Sequence, residues 1–227
     1  MISKELNIKK GITSIIGGGG KTTLLHLLAF ELKSKGKVII TTTTHIFKSD
    51  VFYNVLTDEN QDNTALIKTA LDKYGCICVG TAFEKEKLSA PTVSLEKLSE
   101  ICDYVLVEAD GSKHLPLKAH LEHEPVIDKN STQTILVCSV DALGQKVKDA
   151  VHRYEKACSL LSCKKGDVIT FDTVANLINI ENLHDVVVIN KCDDMKLQSK
   201  AFEIAKKINS KCIIASLIKG EWYVSSN

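Results

Sequence analysis

The stretch Ile12-Thr-Ser-Ile-Ile-Gly17-Gly-Gly-Gly-Lys-Thr-Thr23 constrains this chain more than any other. An apolar, β-branched run meets four glycines, and Lys21 and two threonines then open a segment in which Leu24, Leu25, Leu28 and Leu32 recur at helical spacing. A strand that turns through glycine into a helix is the setting in which a P-loop holds phosphate. Backbone amides can curl around the phosphate oxygens, and the helix N-terminus adds the positive end of its dipole. Lys21, read as an exposed loop residue, supplies a charge, and Thr22 supplies a hydroxyl ligand for Mg²⁺. Gly17, Gly18, Gly19, Gly20, Lys21, Thr22 and Thr23 are therefore the expected nucleotide site. Strict Walker spacing would place its first glycine at position 15, where the chain has Ile15, so the loop is a shortened form.

The remainder repeats the same alternation. Strands are predicted at 12–16, 37–42, 76–80, 103–108, 133–139, 185–190 and 211–215, nearly all as continuous apolar runs covered on both faces. Helices are predicted at 21–35, 61–74, 94–101, 145–163, 171–179 and 195–209. That rhythm implies an α/β fold, a mainly parallel sheet flanked by helices in a three-layer sandwich. We expect one domain over 1–227, with a functional loop at 109–132 where His, Glu and Pro gather without apolar period. The balance of 29 basic and 28 acidic residues gives a net charge of +1, so no overall field attracts nucleic acid or a membrane surface. No apolar run approaches the ~20 residues of a membrane span. The first eleven residues mix Lys and Glu, and the eight cysteines sit mostly in apolar runs. A reducing, cytoplasmic location is the expectation.

Two further strings extend the nucleotide reading. Tyr104-Val-Leu-Val-Glu108-Ala-Asp110-Gly111-Ser ends a strand in two carboxylates, and either Glu108 or Asp110 suits the Mg²⁺ shell. Asp-Gly is also ordinary turn chemistry. The pattern Glu108-x-x-Gly111 resembles the third motif of the SIMIBI class of P-loop NTPases, in which the Gly amide senses the terminal phosphate. Asn190-Lys191-x-Asp193 closes another strand and resembles the base-reading motif of GTPases. There the Asp carboxylate accepts hydrogen bonds from guanine N1–H and its exocyclic amine. GTP is thus preferred over ATP, and Ala215-Ser216 resembles the weaker fifth motif.

Taken together, Gly17-Gly-Gly-Gly-Lys-Thr-Thr, Thr41-Thr-Thr-Thr-His45, Val107-Glu-Ala-Asp-Gly-Ser-Lys113, Pro116-Leu-Lys-Ala119, His123-Glu-Pro-Val-Ile127, Asp141-Ala-Leu-Gly144 and Val151-His-Arg153 resemble the selenium-dependent hydroxylase accessory protein family known as YqeC. The resemblance implies a P-loop protein associated with maturation of selenium-dependent molybdenum hydroxylases, handling molybdenum cofactor or labile selenium. Two positions depart from the pattern: His120 follows Ala119 where Pro is expected, and Asp128 stands where Pro is expected.

Weaker candidates remain. Thr43 and Thr44, within the four-threonine run, either reach nucleotide and Mg²⁺ or line a polar strand end. His45, Lys113, Lys118, His123, Glu124 and Arg153 are candidate substrate residues, the cations suiting an anionic group. His120 and His123, three apart, would share a helix face and hold a metal, although solvated loop histidines are commoner. Cys76 and Cys78 resemble the G-C-x-C string of CobW-type metallochaperones, but alternation points both to one face, where packing is the expectation. Three activities stay open: an NTP hydrolase, a kinase- or transferase-like enzyme of cofactor maturation, and a non-catalytic module that uses nucleotide as a switch.

Overall fold

A computed structural model describes residues 1–225. In chain order the elements are α1 (Ile2–Glu5), β1 (Gly11–Gly17), α2 (Lys21–Leu32), β2 (Val38–Thr42), β3 (His45–Phe47), β4 (Tyr53–Leu56), α3 (Asn63–Tyr74), β5 (Cys76–Glu84), β6 (Lys87–Ser89), α4 (Leu95–Ile101), β7 (Tyr104–Glu108), β8 (Leu117–Lys118), β9 (Ser131–Ser139), α5 (Val147–Ala150), β10 (Val151–His152), α6 (Tyr154–Leu161), α7 (Phe171–Glu181), β11 (Val186–Asn190), α8 (Met195–Ala205), β12 (Lys211–Ser216) and β13 (Glu221–Val224). The chain falls into two compact units. Among the described residues, one comprises 1–15, 25–110 and 126–133, the other 16–24, 111–125 and 134–225.

In the first unit β1, β2 and β5 lie parallel in the order β1-β7-β2-β5, with β7 between β1 and β2. β4 joins β5 in parallel, while β6 and then β3 add antiparallel. The predicted apolar strands are the buried ones: Ile12, Ile15, Ile39, Ile40, Val105 and Leu106 are all enclosed. Side chains sealed on both faces explain why periodicity shows as continuous runs. Helices begin where local chemistry says they should. Asp62 caps α3 by accepting the Ala65 N–H, and Ser94 caps α4 by accepting that of Lys97.

In the second unit β9, β11 and β12 run parallel, with β13 antiparallel at the end. Thr170 and Thr173 form a capping box at α7, and Asp194 caps α8 through the Leu197 N–H. One expectation fails here. The predicted helix 145–163 breaks into α5 and α6, because Val151 and His152 leave the helical path to pair with Leu117 and Lys118. Arg153 then stands at φ 63° before α6 begins. The stretch 109–132 is correspondingly less open than a surface loop, since Pro116 to His120 are buried. No helix among the described residues is long and apolar enough to cross a membrane.

Candidate functional site

The turn between β1 and α2 is built by glycine for two separate reasons. Gly17, Gly19 and Gly20 adopt φ values of 94°, 75° and 135°, a region that side chains disfavour. A Cβ at any of the four would also come within 3.0 Å of a neighbour: Val137 O at Gly17, Leu115 O at Gly18, Ser139 Cβ at Gly19 and Asn190 Nδ2 at Gly20. Close approach thus calls for glycine at all four positions, and conformation adds to it at Gly17, Gly19 and Gly20. Gly18 N–H donates to Val137 O at 2.8 Å, so one of the four glycine amides expected at the site is already committed to β9.

Lys21 is only 4 % exposed, not the exposed residue expected. Its Nζ donates to Gly17 O at 2.7 Å and to Ser112 Oγ at 3.3 Å, so the ammonium folds back over the loop that it was expected to serve. Burial follows from that short return path.

The Asn190 to Asp193 string divides its labour. Asn190, at the end of β11 and buried, donates through Nδ2 to Gly19 O at 2.9 Å and accepts the Leu217 N–H on Oδ1 at 3.1 Å. It positions the glycine turn. Lys191 stands at φ 61° with its ammonium 2.7 Å from Asp141 Oδ2. Asp193 is exposed, and its carboxylate accepts a hydrogen bond from Ser216 Oγ, while Lys219 Nζ donates to the Asp193 carbonyl. Ser216 of the Ala215-Ser216 pair thus belongs to this same cluster.

Segment 111–125 is clamped. Lys118 Nζ donates to Gly111 O at 2.7 Å and lies 3.3 Å from Glu124 Oε1. Arg153 reaches the same carboxylate with Nε and a terminal nitrogen, each at 3.3 Å. Burial raises the Glu124 carboxyl, but Arg153 and Lys118 outweigh it and hold the group below its ordinary range. Beside them, burial and the charges of Lys118, Arg153 and Lys113 push the His152 ring toward the neutral form. His120 donates its backbone N–H to Glu181 Oε1 at 2.6 Å and engages Oε2 through Nδ1 at 2.9 Å. A proline there, as the family pattern expected, would have no N–H to give.

The predicted substrate group is thereby divided. Lys118, Glu124 and Arg153 come together, Lys113 and His123 are exposed, and His45 lies in the first unit with its ring 4.0 Å from that of Phe83. The expected helical histidine pair does not form, because 119–125 is not helical and His120 faces Glu181. Among the described residues no group of three or more His, Cys, Asp and Glu side chains is arranged to hold a metal.

In the first unit Glu108 closes β7 and is buried, and Asp110 is fully enclosed. Thr41 Oγ1 donates to Val79 O, Thr42 Oγ1 to Glu108 O and Thr43 Oγ1 to Val126 O, each at 2.8 Å, while Thr44 N–H donates to Thr42 Oγ1. The threonine run thus secures backbone. Burial pushes the Cys76 and Cys78 thiols up to about 12, so they pack as thiols and the CobW-like thiolate reading is set aside.

Sequence reasoning missed Ser112, Asp141, His152, Glu181 and Lys219. Asp141 sat inside a quoted string to which no chemistry was assigned. Glu181 offers no local signal, since it meets His120 across 61 positions.

A mainly parallel sheet flanked by helices, in which an apolar strand turns through four glycines into a Lys-Thr-Thr helix start, defines the P-loop NTPase-like α/β class. Residues 13–155 match the family described as YqeC protein, and the chain belongs to that family. It is 36% identical over 156 residues to the YqeC protein of Escherichia coli K12, an alignment covering 64% of this chain and 58% of that relative. The structure is also similar to that of the 54 kDa protein of the signal recognition particle from Aeropyrum pernix K1 in complex with GDP. The TM-score is 0.45 at 13% identity, over 96% of this chain and 44% of that one.

Proposed function

We propose that this chain binds a magnesium nucleoside triphosphate, GTP by preference, on the Gly17–Thr23 turn. The observation that carries the reading is Lys21, buried at the start of α2 and folded back onto Gly17 O over four glycines at which a Cβ would come within 3.0 Å of a neighbour. Phosphate oxygens are the groups to which glycine amides, a helix N-terminus and a single ammonium are jointly complementary. Thr22 gives Mg²⁺ a hydroxyl ligand, and Asp110 or Glu108 orients the water shell of the ion. Lys21 stabilises charge that develops on the transferred phosphoryl group, which makes the chain an NTP hydrolase or an NTP-dependent factor. Asp193 reads guanine, with Ser216 orienting its carboxylate.

Within the YqeC family this reading describes an accessory factor in maturation of selenium-dependent molybdenum hydroxylases, acting in the cytoplasm on the hydroxylase or its molybdenum cofactor. A second reading is a kinase- or transferase-like enzyme. It is favoured by the run of contacts from Lys21 through Ser112, Gly111 and Lys118 to Glu124 and Arg153, in which the partly exposed Arg153 guanidinium suits an anionic acceptor. The third, a delivery module switched by nucleotide, needs binding without turnover.

Calorimetry with Mg-GTP and Mg-ATP, followed by single-turnover phosphate release, separates the three. Saturable GTP binding with release supports the first reading, labelling of an anionic acceptor the second, and binding alone the third. No heat with any magnesium nucleotide overturns all of them. Lys21→Ala should abolish binding. Asp193→Asn should weaken GTP on the order of a hundredfold, the loss of hydrogen bonds to a charged acceptor, and raise affinity for xanthosine triphosphate.

A further inference from the structure

Two cysteines stand apart from both the nucleotide site and the core. Cys76, Cys78, Cys138, Cys192 and Cys212 are buried, whereas Cys158 and Cys163 are half-exposed. Cys102, also half-exposed, donates its thiol to Tyr104 O, and burial pushes it up to about 12. In a continuous helix, residues five apart point in diverging directions. Here α6 stops: Ser162 adopts the left-handed conformation at φ 52°, ψ 38°, and Cys163 N–H donates to Cys158 O at 3.1 Å. That turn folds Cys163 back over the last helical turn, the closing geometry that sets the residues at these two positions beside each other.

We propose that Cys158 and Cys163 form a thiol–disulfide exchange site, a surface dithiol that a low-molecular-weight disulfide oxidises to an intramolecular disulfide and that thiols reduce again. Exchange starts at Cys163, which lies past the end of α6 between the exposed Ser162 and Lys164, while burial and the neighbouring thiol raise the Cys158 thiol above its ordinary range. The Cys163 thiolate attacks one sulfur of RSSR; the new S–S bond forms a mixed disulfide and RS⁻ leaves to take up a proton. Cys158 then loses its proton to solvent, attacks the Cys163 sulfur and expels the second RS⁻. The protein dithiol gives up two electrons and two protons, and RSSR becomes two RSH. This chemistry is independent of nucleotide, so it stands or falls apart from the function proposed above.

The probe is glutathione disulfide on the full, folded chain, followed by alkylation in denaturant, tryptic cleavage and mass spectrometry. Cleavage after Lys156 and Lys164 places both cysteines in one peptide, 157–164. The expected product is that peptide lighter by two hydrogens and unalkylated, formed on the order of tenfold faster than any modification of the other six thiols. Cys158→Ser should instead trap a stable mixed disulfide with glutathione on Cys163. Two alkylated thiols in 157–164 after full equilibration, or two separate glutathione adducts without the crosslink, would overturn the proposal.

Discussion

The glycine turn at 17–23 and the segment 111–125 are both anchored within the second unit, yet they are anchored differently. The turn is held by backbone: three glycines in left-handed conformations, contacts that forbid a Cβ at all four, and Lys21 returning to Gly17 O. The segment is held by side chains from distant elements, Glu181 of α7 gripping His120 and Arg153 gripping Glu124. A backbone-determined feature leaves its mark in consecutive residues. One determined by tertiary ion pairs scatters its mark along the chain.

The sharpest way to break this comparison is to exchange glycine for alanine in each region. Gly18→Ala drives a methyl into Leu115 O and should cost on the order of 3 kcal/mol in denaturant unfolding. Gly111→Ala meets nothing within 4 Å and should change stability by less than about 0.5 kcal/mol. Equal costs would mean that the turn tolerates side chains and that its glycines answer to something other than packing.

Next in size is the clamp of 111–125. Glu181→Ala removes the acceptor of both the His120 backbone N–H and its ring, from a pair whose side chains are 1% and 6% exposed. We expect a loss of about 2 kcal/mol, with a double-mutant cycle against His120→Ala returning coupling of about 1 kcal/mol. Additive losses would show that the two residues merely pack.

These contrasts explain what was readable beforehand. The seven long strands, the glycine turn and the Asn190 to Asp193 string were visible because each depends on neighbours in sequence: apolar runs, glycine conformation, a strand exit. The break of 145–163 was not, because α-helical periodicity there is overridden by pairing of Val151 and His152 with Leu117 and Lys118, a parallel contact without local chemistry. Strands of two to four residues such as β3, β4, β6 and β13 fall below the length at which alternation is detectable. The histidines at 120 and 123 misled because their spacing suits a helix face, while the first is instead fixed by a carboxylate on α7. Asn190 also ties Gly19 to Leu217, contacts across 171 and 27 positions that no local pattern announces.

A smaller effect sharpens the base-reading claim. Ser216→Ala removes the hydroxyl that orients Asp193 and should cost about 1 kcal/mol of GTP binding, roughly fivefold in Kd, with ATP binding unchanged. Fold stability should hardly respond, because Asp193 is exposed in the loop after β11, where water replaces the lost hydroxyl. An equal loss for GTP and ATP would assign Ser216 to the phosphate turn and not to the base.

The smallest effect is in pH. The ring of His152 is half-buried amid Lys118, Arg153 and Lys113, and burial and these charges lower its pKa from 6.5. Burial does the same to His26 and His184. Each native ring therefore binds its proton less readily than in the unfolded chain. For a base with a lowered native pKa, the unfolded state holds more protons below about 6.5, so stability falls as pH drops through that value. Glu124 acts in the same direction in a lower window, since its lowered carboxyl stabilises the fold above the ordinary carboxylate range and loses that contribution only in stronger acid. Denaturant midpoints at pH 7.5 and 5.5 therefore isolate the histidines. The wild-type midpoint should decrease toward pH 5.5, and His152→Gln should flatten part of that decrease while His26 and His184 preserve the remainder. An unchanged slope in His152→Gln would mean that Glu124 offsets the three cations at this ring, and that the clamp on 111–125 is electrically neutral where the native geometry makes it positive.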